Sequence, residues 1–450
     1  MLTRILFVLL LTSTQLQAQD SLNIKLLYHW DDTTLNLVSG YGTHFRYNEI
    51  WGMVVNGREY GVIGSTEGTH IFDVTDPVHA KQVAYIPGNY DRAIHRDYHD
   101  YNGYLYMVSD EGSATLQIAD LSYLPDSVSL VYDSNILFSR SHNIFIDSVS
   151  GYLYSVYGQV LTLEDPANPQ HALITGINGH DLYARRDTLY VNREFNGLYI
   201  YDYTTPQSPK LLGSLTQYPD KGYNHSGWLT DDGKIYAFSD ETYGTDIKIC
   251  DVSDPSDIKV ISRVNSGGDS TAMPHNVLIR DNFMYVAYYH DGLYVYDISD
   301  PYAPTVAGYY DTYPVSPAPN YNGAWGVYPF LPSGNVLVSD TRNGFFIFDV
   351  GDIISKTEDE FIADIDFQVF PNPTDGEFTI TYHSPEQADV SVEMYDLQGK
   401  RMHQISVDNS TVQDNRIQLT IRCKELSEGM YILKLRDGMK AGIRKVFLTE

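Results

Sequence analysis

Short apolar and aromatic runs alternate with turn residues along most of this chain. A representative stretch has runs at 276–279, 283–289, 292–298 and 305–310, which are separated by Asn, Asp, Gly and Pro. Runs of this length that are rich in β-branched and aromatic residues are typical of strands and lack the 3.6-residue period of helices. The pattern predicts an all-β chain built from units of four short strands.

A ten-residue motif recurs at nearly constant intervals and marks the third predicted strand of each unit. It reads GTHIFDVTDP in the first copy, and its seven copies lie at 68–77, 114–125, 158–166, 197–206, 246–255, 292–301 and 343–350. The units begin about 46 residues apart, and four strands in such a period predict a seven-bladed β-propeller. A right-handed β-helix is the alternative, although its repeats are usually shorter. The aspartate inside the motif is expected to accept a hydrogen bond from a turn amide.

The seventh unit lacks a fourth strand of its own, because the chain becomes acidic after Val350. Residues 23–28 resemble the fourth strand of the fourth unit at 209–213. We therefore expect the N-terminal segment to supply the outer strand of the seventh unit, which would close the ring without leaving a ragged sheet edge.

The two ends of the chain differ from the repeats. The N-terminal end combines a basic Arg4, an apolar run at 5–11 and a small residue, Ala18, which together indicate a secretory signal peptide. The apolar run is too short for a transmembrane helix, so no transmembrane segment is expected in the mature chain. The predicted organisation is a signal peptide at 1–19, a propeller at 20–352, an acidic linker at 353–366 and a small second domain at 367–450.

Charge narrows the range of partners. The formal net charge is −28, with 58 acidic and 30 basic residues. Phosphate repulsion therefore argues against nucleic-acid binding. The acidity has two further readings, which are solubility outside the cell and affinity for Ca²⁺ or a cationic ligand.

The last 84 residues carry short motifs of their own, among them PNPTDG at 371–376, YDLQGK at 395–400 and GMY at 429–431. This segment resembles the type A C-terminal sorting domain of the type IX secretion system of Bacteroidetes. The resemblance implies a small β-sandwich that serves as an export tag, a partner in the secretion machinery, and a product that is secreted or held at the outer-membrane surface. An adhesive or carbohydrate-binding sandwich is the alternative. The residues that carry the resemblance are Pro371, Asn372, Pro373, Gly376, Gly399, Gly429, Tyr431 and Lys445.

The repeats also resemble a known group. The motif strands IFDV at 71–74, VYDI at 295–298 and IFDV at 347–350 are similar to the LVIVD repeat. Residues 20–352 resemble the choice-of-anchor B family, whose members are secreted or surface propellers with different C-terminal anchors. This resemblance implies architecture and localisation but no particular activity.

The repeat register locates a candidate site. In a propeller the innermost strand starts at one face, and the loop between the second and third strands returns to that face. Five units begin with histidine and two with tryptophan, and the returning loops are rich in carboxylates. We therefore expect one mouth of the central channel to be lined by His99, His142, His180, His225, His275, Trp51, Trp325, Asp110, Glu111, Glu194, Asp240, Glu241, His290, Asp291 and Asp340.

Three readings of this site compete. In the structural reading each histidine caps its strand by a hydrogen bond to a neighbouring unit. In the metal reading carboxylates bind Ca²⁺, or Zn²⁺ or another transition metal binds to a set drawn from His99, His142, His180, His225 and His275 with Asp110 and Asp240. In the catalytic reading a histidine acts as a general base beside a carboxylate.

The leading expectation for function is a monomeric binding or scaffold protein that uses the histidine-bearing face to hold a glycan or a surface protein. The alternative is a metal-dependent hydrolase or lyase that acts on glycans at the same mouth. No nucleophile elbow, phosphate-binding loop or zincin motif occurs in the sequence.

Overall fold

A computed structural model describes residues 21–449 apart from 268–270, 316–318, 354–366, 384–389, 396–400, 408–411, 414–415, 425 and 438–439. The signal peptide expected at 1–19, nearly all of the expected linker and Gly399 lie outside the described residues. Within the described part of the chain, no helix is long and apolar enough to cross a membrane. The described residues fall into two compact units, which are divided between Val350 and Gly351.

Four short strands open the first unit. The last two of these strands form a hairpin, while the first two pair with strands much later in the sequence. In chain order they are β1 (Ser21–Leu22), β2 (Lys25–Trp30), β3 (Val38–Gly40) and β4 (Thr43–Phe45).

Seven antiparallel sheets of four or five strands follow in the described part of this unit, and consecutive strands pair within each. Short 3-10 helices at Pro77–His79 and Pro255–Asp257 follow the third strands of the first and fifth sheets. The first three sheets consist of β5 (Tyr47–Val55), β6 (Arg58–Ser65), β7 (Gly68–Asp73) and β8 (Lys81–Pro87); β9 (Arg96–Tyr101), β10 (Tyr104–Ser109), β11 (Leu116–Asp120) and β12 (Ser129–Ser134); and β13 (Ile144–Asp147), β14 (Tyr152–Ser155), β15 (Gln159–Thr162) and β16 (Gln170–Ile174).

The remaining sheets repeat this order, and the prediction of an all-β chain is confirmed. They consist of β17 (Asp181–Arg185), β18 (Thr188–Asn192), β19 (Leu198–Asp202) and β20 (Lys210–Leu215); β21 (Asn224–Leu229), β22 (Ile235–Asp240), β23 (Ile247–Asp251) and β24 (Lys259–Val264); β25 (Pro274–Arg280), β26 (Phe283–Tyr288), β27 (Gly292–Asp297) and β28 (Thr305–Tyr310); and β29 (Ala324–Tyr328), β30 (Val336–Asp340) and β31 (Gly344–Asp349).

The N-terminal strands complete the last two sheets. β2 pairs antiparallel with β31, with Lys25 opposite Asp349 and Trp30 opposite Phe345. The prediction that the N-terminal segment supplies the outer strand of the seventh unit is therefore confirmed, although the strand begins two residues later than predicted. β1 adds a fifth strand to the sixth sheet, with Ser21 opposite Tyr310.

The first strands of the seven sheets contact one another in chain order, and β29 contacts β5. Buried side chains fill the space between neighbouring sheets. Between the seventh and first sheets, for example, Phe345 and Ile347 pack against Ile63 and Phe72. The sheets therefore stack face to face around the row of first strands, which places the starts of those strands near one another.

The recurring motif forms the third strand of every one of these sheets, and in several copies its aspartate accepts a hydrogen bond from a backbone amide in the turn that follows. Thr75 N donates to Asp73 Oδ1 at 3.1 Å, and Ser299 N donates to Asp297 Oδ1 at 2.8 Å. The same bond forms at Asp202 and Asp251. This Asx-type geometry explains the aspartate, as the sequence predicted.

The second unit contains two four-stranded antiparallel sheets among its described residues, with the orders β32-β33-β37-β36 and β35-β34-β38-β39. Their apolar side chains share one core, which includes Phe378, Val392 and Leu433. The strands are β32 (Phe367–Phe370), β33 (Glu377–His383), β34 (Val390–Tyr395), β35 (Arg401–Val407), β36 (Val412–Gln413), β37 (Arg416–Arg422), β38 (Gly429–Asp437) and β39 (Lys440–Leu448).

The Pro-Asn-Pro segment of this second unit is held against the last strand. Asn372 Nδ2 donates to the Lys445 carbonyl at 2.6 Å, and Phe447 N donates to Asn372 Oδ1 at 2.9 Å. Gly376 has a φ of 95°, and a Cβ there would lie 3.0 Å from Lys424 Cα. These residues therefore have structural roles where the start of the unit meets its end.

Candidate functional site

A closed belt of six aromatic rings lies where the first strands of the second to seventh sheets begin. We call it the His belt. His95 and His180 immediately precede β9 and β17, while His225, His275 and Trp325 are the second residues of their strands. Ring centroids are 4.7 Å apart for His95–His142, 4.3 Å for His142–His180, 4.3 Å for His180–His225, 4.2 Å for His225–His275, 4.4 Å for His275–Trp325 and 5.6 Å for Trp325–His95.

Four of the belt histidines are held neutral by their surroundings. Burial lowers the pKa of His142 and His275, in the latter case to about 3. Burial and the neighbouring imidazoles hold the pKa values of His180 and His225 well below the usual range. At neutral pH each of these rings therefore has one N–H and one lone pair, which is the form that binds metals and accepts hydrogen bonds.

Hydrogen bonds set which nitrogen carries the proton in part of the belt. His275 Nδ1 lies 2.6 Å from the Trp325 carbonyl, and His142 Nδ1 lies 3.2 Å from Asp110 Oδ2. His95 Nδ1 bonds Glu111. Because these partners can only accept, Nδ1 carries the hydrogen in neutral His142 and His275 and Nε2 keeps its lone pair.

Glu241 joins the belt from the loop after β22. Its carboxylate oxygens lie 3.9 Å from Nε2 of both His225 and His275, and Tyr289 donates a hydrogen bond to it at 2.7 Å. Burial raises the pKa of Glu241 to about 7. Two groups of three side chains could each hold a metal ion, because one potential ligand atom from each member lies within 4.8 Å of those of the other two. The first group is His142, His180 and His225, and the second is His225, Glu241 and His275.

Aromatic side chains surround the belt, and two of them are largely open to solvent. Tyr41 is 63% exposed and its ring centroid lies 5.7 Å from that of His95. Phe195 is 69% exposed and lies 5.2 Å from Tyr223, which in turn lies 5.1 Å from His180. These rings give the belt an apolar rim.

A second closed ring of side chains lies further along the first strands, and we call it the second belt. It includes two residues that the sequence placed at the mouth, Trp51 and His99, whose ring centroids are 4.6 Å apart. The full set, in order around the ring, is Trp51, His99, Phe145, Tyr183, Trp228, Phe330 and Tyr328. Trp51 also donates from its indole nitrogen to Asp100 at 2.8 Å. The structure therefore separates Trp51 and His99 from the His belt.

A cavity of about 60 Å³ is lined both by second-belt rings and by residues that directly follow His-belt positions, such as Asn143 and Asp181. Three carboxylates line it. Burial raises the pKa of Glu49 to about 7 and that of Asp181 to about 8, and it holds the pKa of Asp97 well above its usual range. Burial therefore favours the protonated form of all three carboxyl groups that line this cavity beneath the His belt.

The other predicted residues divide into two groups. Asp110, Glu111 and Glu241 contact belt histidines, while Glu194 lies beside Tyr223. Asp240 was predicted to line the mouth of the channel, but it does not contact the belt histidines in any described contact. It is fully buried in a 2.8 Å ion pair with Lys248, because the adjacent strand β23 places that ammonium in the core.

Three further predicted residues make contacts of their own outside the belt. Asp340 accepts hydrogen bonds from Thr312 and from the backbone of residues 342 and 343, each at 2.8 Å, so it shapes the turn after β30. His290 Nε2 lies 3.0 Å from Asn320 Oδ1, and Asp291 accepts a hydrogen bond from Ser266.

The belt histidine of the second sheet is His95, whereas the sequence predicted His99, four positions later. The choice rested on a spacing of about 22 residues between the belt position and the motif aspartate. That spacing crosses the loop between the second and third strands, which varies from the two residues between β6 and β7 to the six between β10 and β11. The long loop lengthens the interval in the second unit, so the fixed spacing pointed to the wrong histidine. The fifth unit, which has an equally long loop and a similarly long interval between its belt histidine and its motif aspartate, could have pointed to His95.

Comparisons with known proteins agree with the resemblances to the LVIVD repeat and to the C-terminal sorting domain. A family model of the LVIVD repeat matches residues 273–312, and a model described as a secretion system C-terminal sorting domain matches residues 368–449. No curated protein matches the chain. The chain thus carries an LVIVD repeat and a type IX sorting domain. Such a domain implies interaction with the secretion machinery and a product that is secreted or held at the cell surface.

Proposed function

We propose that residues 20–352 form a seven-bladed β-propeller that binds a ligand at the His belt outside the cell. Its support is the cyclic contact among the seven first strands and the completion of the seventh sheet by β2. In this proposal residues 1–19 are a signal peptide, 353–366 are a linker and 367–450 direct export. The sheets act as blades, and the His belt surrounds one mouth of a central channel.

The observation that carries the binding function is the composition of the belt and its rim. Structural capping accounts well for His275, which bonds a carbonyl of the neighbouring sheet. It does not account for His180 and His225, whose buried Nδ1 atoms have no hydrogen-bond partner among the described residues. Those two rings therefore favour a site over a purely structural device.

The rim favours a polyhydroxylated ligand such as a glycan. Exposed aromatic faces pack on the apolar face of a sugar ring, and carboxylates such as Asp110 and Glu111 accept hydrogen bonds from its hydroxyls. Tyr41 and Phe195 offer those faces, since both are more than half exposed.

A glycan array probed with the full-length protein tests this function. Tyr41→Ala and Phe195→Ala should each weaken binding of the best glycan about 3- to 10-fold, because each removes one stacking contact. Tyr302→Ala is the matched control, since Tyr302 is 66% exposed but follows the Asp-Pro turn after β27. Absence of glycan binding by the wild type, or an equal loss in the control, would argue against the proposal.

A second candidate, a metal-dependent glycan hydrolase or lyase, is favoured by one observation. Glu241 has a pKa raised to about 7 by burial and lies beside His225, His275 and Tyr289, which suits a general acid or base. The same array glycans, incubated with the protein, should then yield new reducing ends in the wild type and none in Glu241→Gln. If the protein binds a glycan but does not cleave it, the hydrolase or lyase function is refuted and the binding function stands.

A further inference from the structure

We infer that His142, His180 and His225 bind one divalent transition metal ion, with Glu241 and His275 beside it. This inference rests on the proposed role of the His belt as a binding site and adds a chemical class of ligand. Nitrogen-rich coordination of this kind is typical of Zn²⁺ and its neighbours in the first transition row.

The geometry comes from three consecutive sheets. One ligand atom from each of the three histidines lies within 4.8 Å of the other two, and adjacent ring centroids are 4.3 Å apart. Zn–N bonds are about 2.0–2.1 Å long, so two nitrogens on one ion are at most about 4.2 Å apart. Binding of one ion by all three imidazoles therefore requires the rings to rotate so that their nitrogens come closer together.

The unpaired nitrogens provide an independent reason for a ligand. Nδ1 of His180 and Nδ1 of His225 are buried and have no hydrogen-bond partner within the described part of the chain. His225 is only 3% exposed. A buried polar atom without a partner destabilises the fold, and coordination of a metal by these rings removes that cost where the lone pair is on the buried nitrogen.

The surrounding groups orient the rings as they do around metal ions. Asp110 accepts the Nδ1 hydrogen of His142, and the Trp325 carbonyl accepts that of His275, which leaves Nε2 of both rings free. A carboxylate or carbonyl behind a ligating histidine fixes the tautomer and raises the basicity of the ring. Glu241 lies 3.9 Å from both His225 and His275, where a carboxylate oxygen can approach the ion.

The donor set also selects the class of ion. Ca²⁺ and Mg²⁺ prefer oxygen ligands, whereas three imidazoles with one carboxylate suit Zn²⁺, Co²⁺, Ni²⁺ or Cu²⁺. An oxygen-preferring ion would instead bind the carboxyl groups of Glu49, Asp97 and Asp181 around the cavity, which must lose their protons to do so. A comparison of Zn²⁺ with Ca²⁺ therefore separates the two locations.

Metal analysis of the full-length protein tests the inference. After chelator treatment and loading with Zn²⁺, gel-filtered wild type should retain about one ion per chain and no stoichiometric Ca²⁺. His180→Gln and His225→Gln should each bind Zn²⁺ at least about ten-fold more weakly than the wild type and retain less of it after gel filtration, because each lacks one of the three imidazole ligands. His171→Gln, an exposed histidine on β16, is the matched control and should retain the ion.

Measurements on the wild type alone keep the inference testable if the variants fold poorly. The X-ray absorption spectrum of the Zn²⁺-loaded protein should show multiple scattering from about three imidazoles, and Zn²⁺ should raise the melting temperature. The inference is wrong if the wild type retains no stoichiometric Zn²⁺. It is also wrong if the spectrum shows only oxygen ligands, or if His171→Gln loses as much metal as His180→Gln.

The two proposals fail separately. Stoichiometric Zn²⁺ on a protein that binds no array glycan would refute the glycan ligand and keep the metal site. Glycan binding that survives the chelator, on a protein that retains no Zn²⁺, would refute the metal site and keep the binding function.

Discussion

Single residues next to the His belt acquire unusual chemistry from where the chain buries them. Asp181 directly follows a belt histidine and lines the cavity beneath the His belt. Burial therefore raises its pKa from 3.8 to about 8, although the Leu182 amide donates a hydrogen bond to it at 2.6 Å. The carboxyl is protonated in the folded protein at neutral pH and ionised in the unfolded chain.

Replacement of Asp181 by Asn should change how stability depends on pH. Between pH of about 4 and about 8 the folded protein holds a proton that the unfolded chain has released, so a rising pH favours unfolding. The free energy of unfolding of the wild type should fall relative to that of Asp181→Asn by at most about 1.4 kcal/mol per pH unit in this window. Urea denaturation of both proteins at several pH values measures the difference. Parallel pH profiles would show that Asp181 is ionised in the folded state.

At the scale of elements, local sequence specifies the strands while pairing between distant segments completes the sheets. The motif strand can be predicted from the sequence because a strand and an Asx turn both depend on neighbouring residues. The pairing of β2 with β31 joins opposite ends of the first unit and was predictable only through the missing fourth strand. Trp30 anchors this pairing, since its ring contacts those of Tyr47, His70 and Phe72 with centroids 4.9 to 5.6 Å apart.

Trp30→Ala should weaken this closure. The half-buried indole contacts three rings of the first sheet, so its loss should lower the free energy of unfolding by about 2–3 kcal/mol. Lys25→Ala, at the exposed start of the same strand, should change it by less than about 0.5 kcal/mol. Thermal or urea unfolding measures both. Equal stability of Trp30→Ala and wild type would show that β2 does not secure the seventh sheet.

At the scale of the whole molecule, the chain combines a repeat unit with an export domain. The sorting domain is recognised through short motifs at its turns and at its ends, and the described part of these motifs has structural contacts. The net charge of −28 suits a soluble extracellular surface. In the proposed function, export and ligand binding are thus carried by separate units of one chain.

Deletion of residues 367–450 should stop delivery of the protein to the surface or the medium. The truncated chain should accumulate in the periplasm, because the segment that engages the type IX machinery is gone. Cell fractionation with an antibody against the first unit locates the product, and the full-length chain expressed in the same cells is the control. Surface delivery of the truncated chain at the level of the full-length chain would contradict the sorting role.

Local residue patterns specify the strands, the repeat, the positions of the motif aspartates and the export domain, so these features were predictable from the sequence. The sequence also brought His142, His180, His225 and His275 forward as one group, since they occupy equivalent positions of the repeat. In contrast, the folded chain is needed to see which side chains lie at the same height along the first strands. In the folded chain His95 lies in the His belt in place of the predicted His99. Trp51 lies in the second belt, and Asp240 is buried in an ion pair with Lys248. Loop lengths and strand offsets set those heights, and a single residue of offset turns a side chain to the opposite face of its sheet.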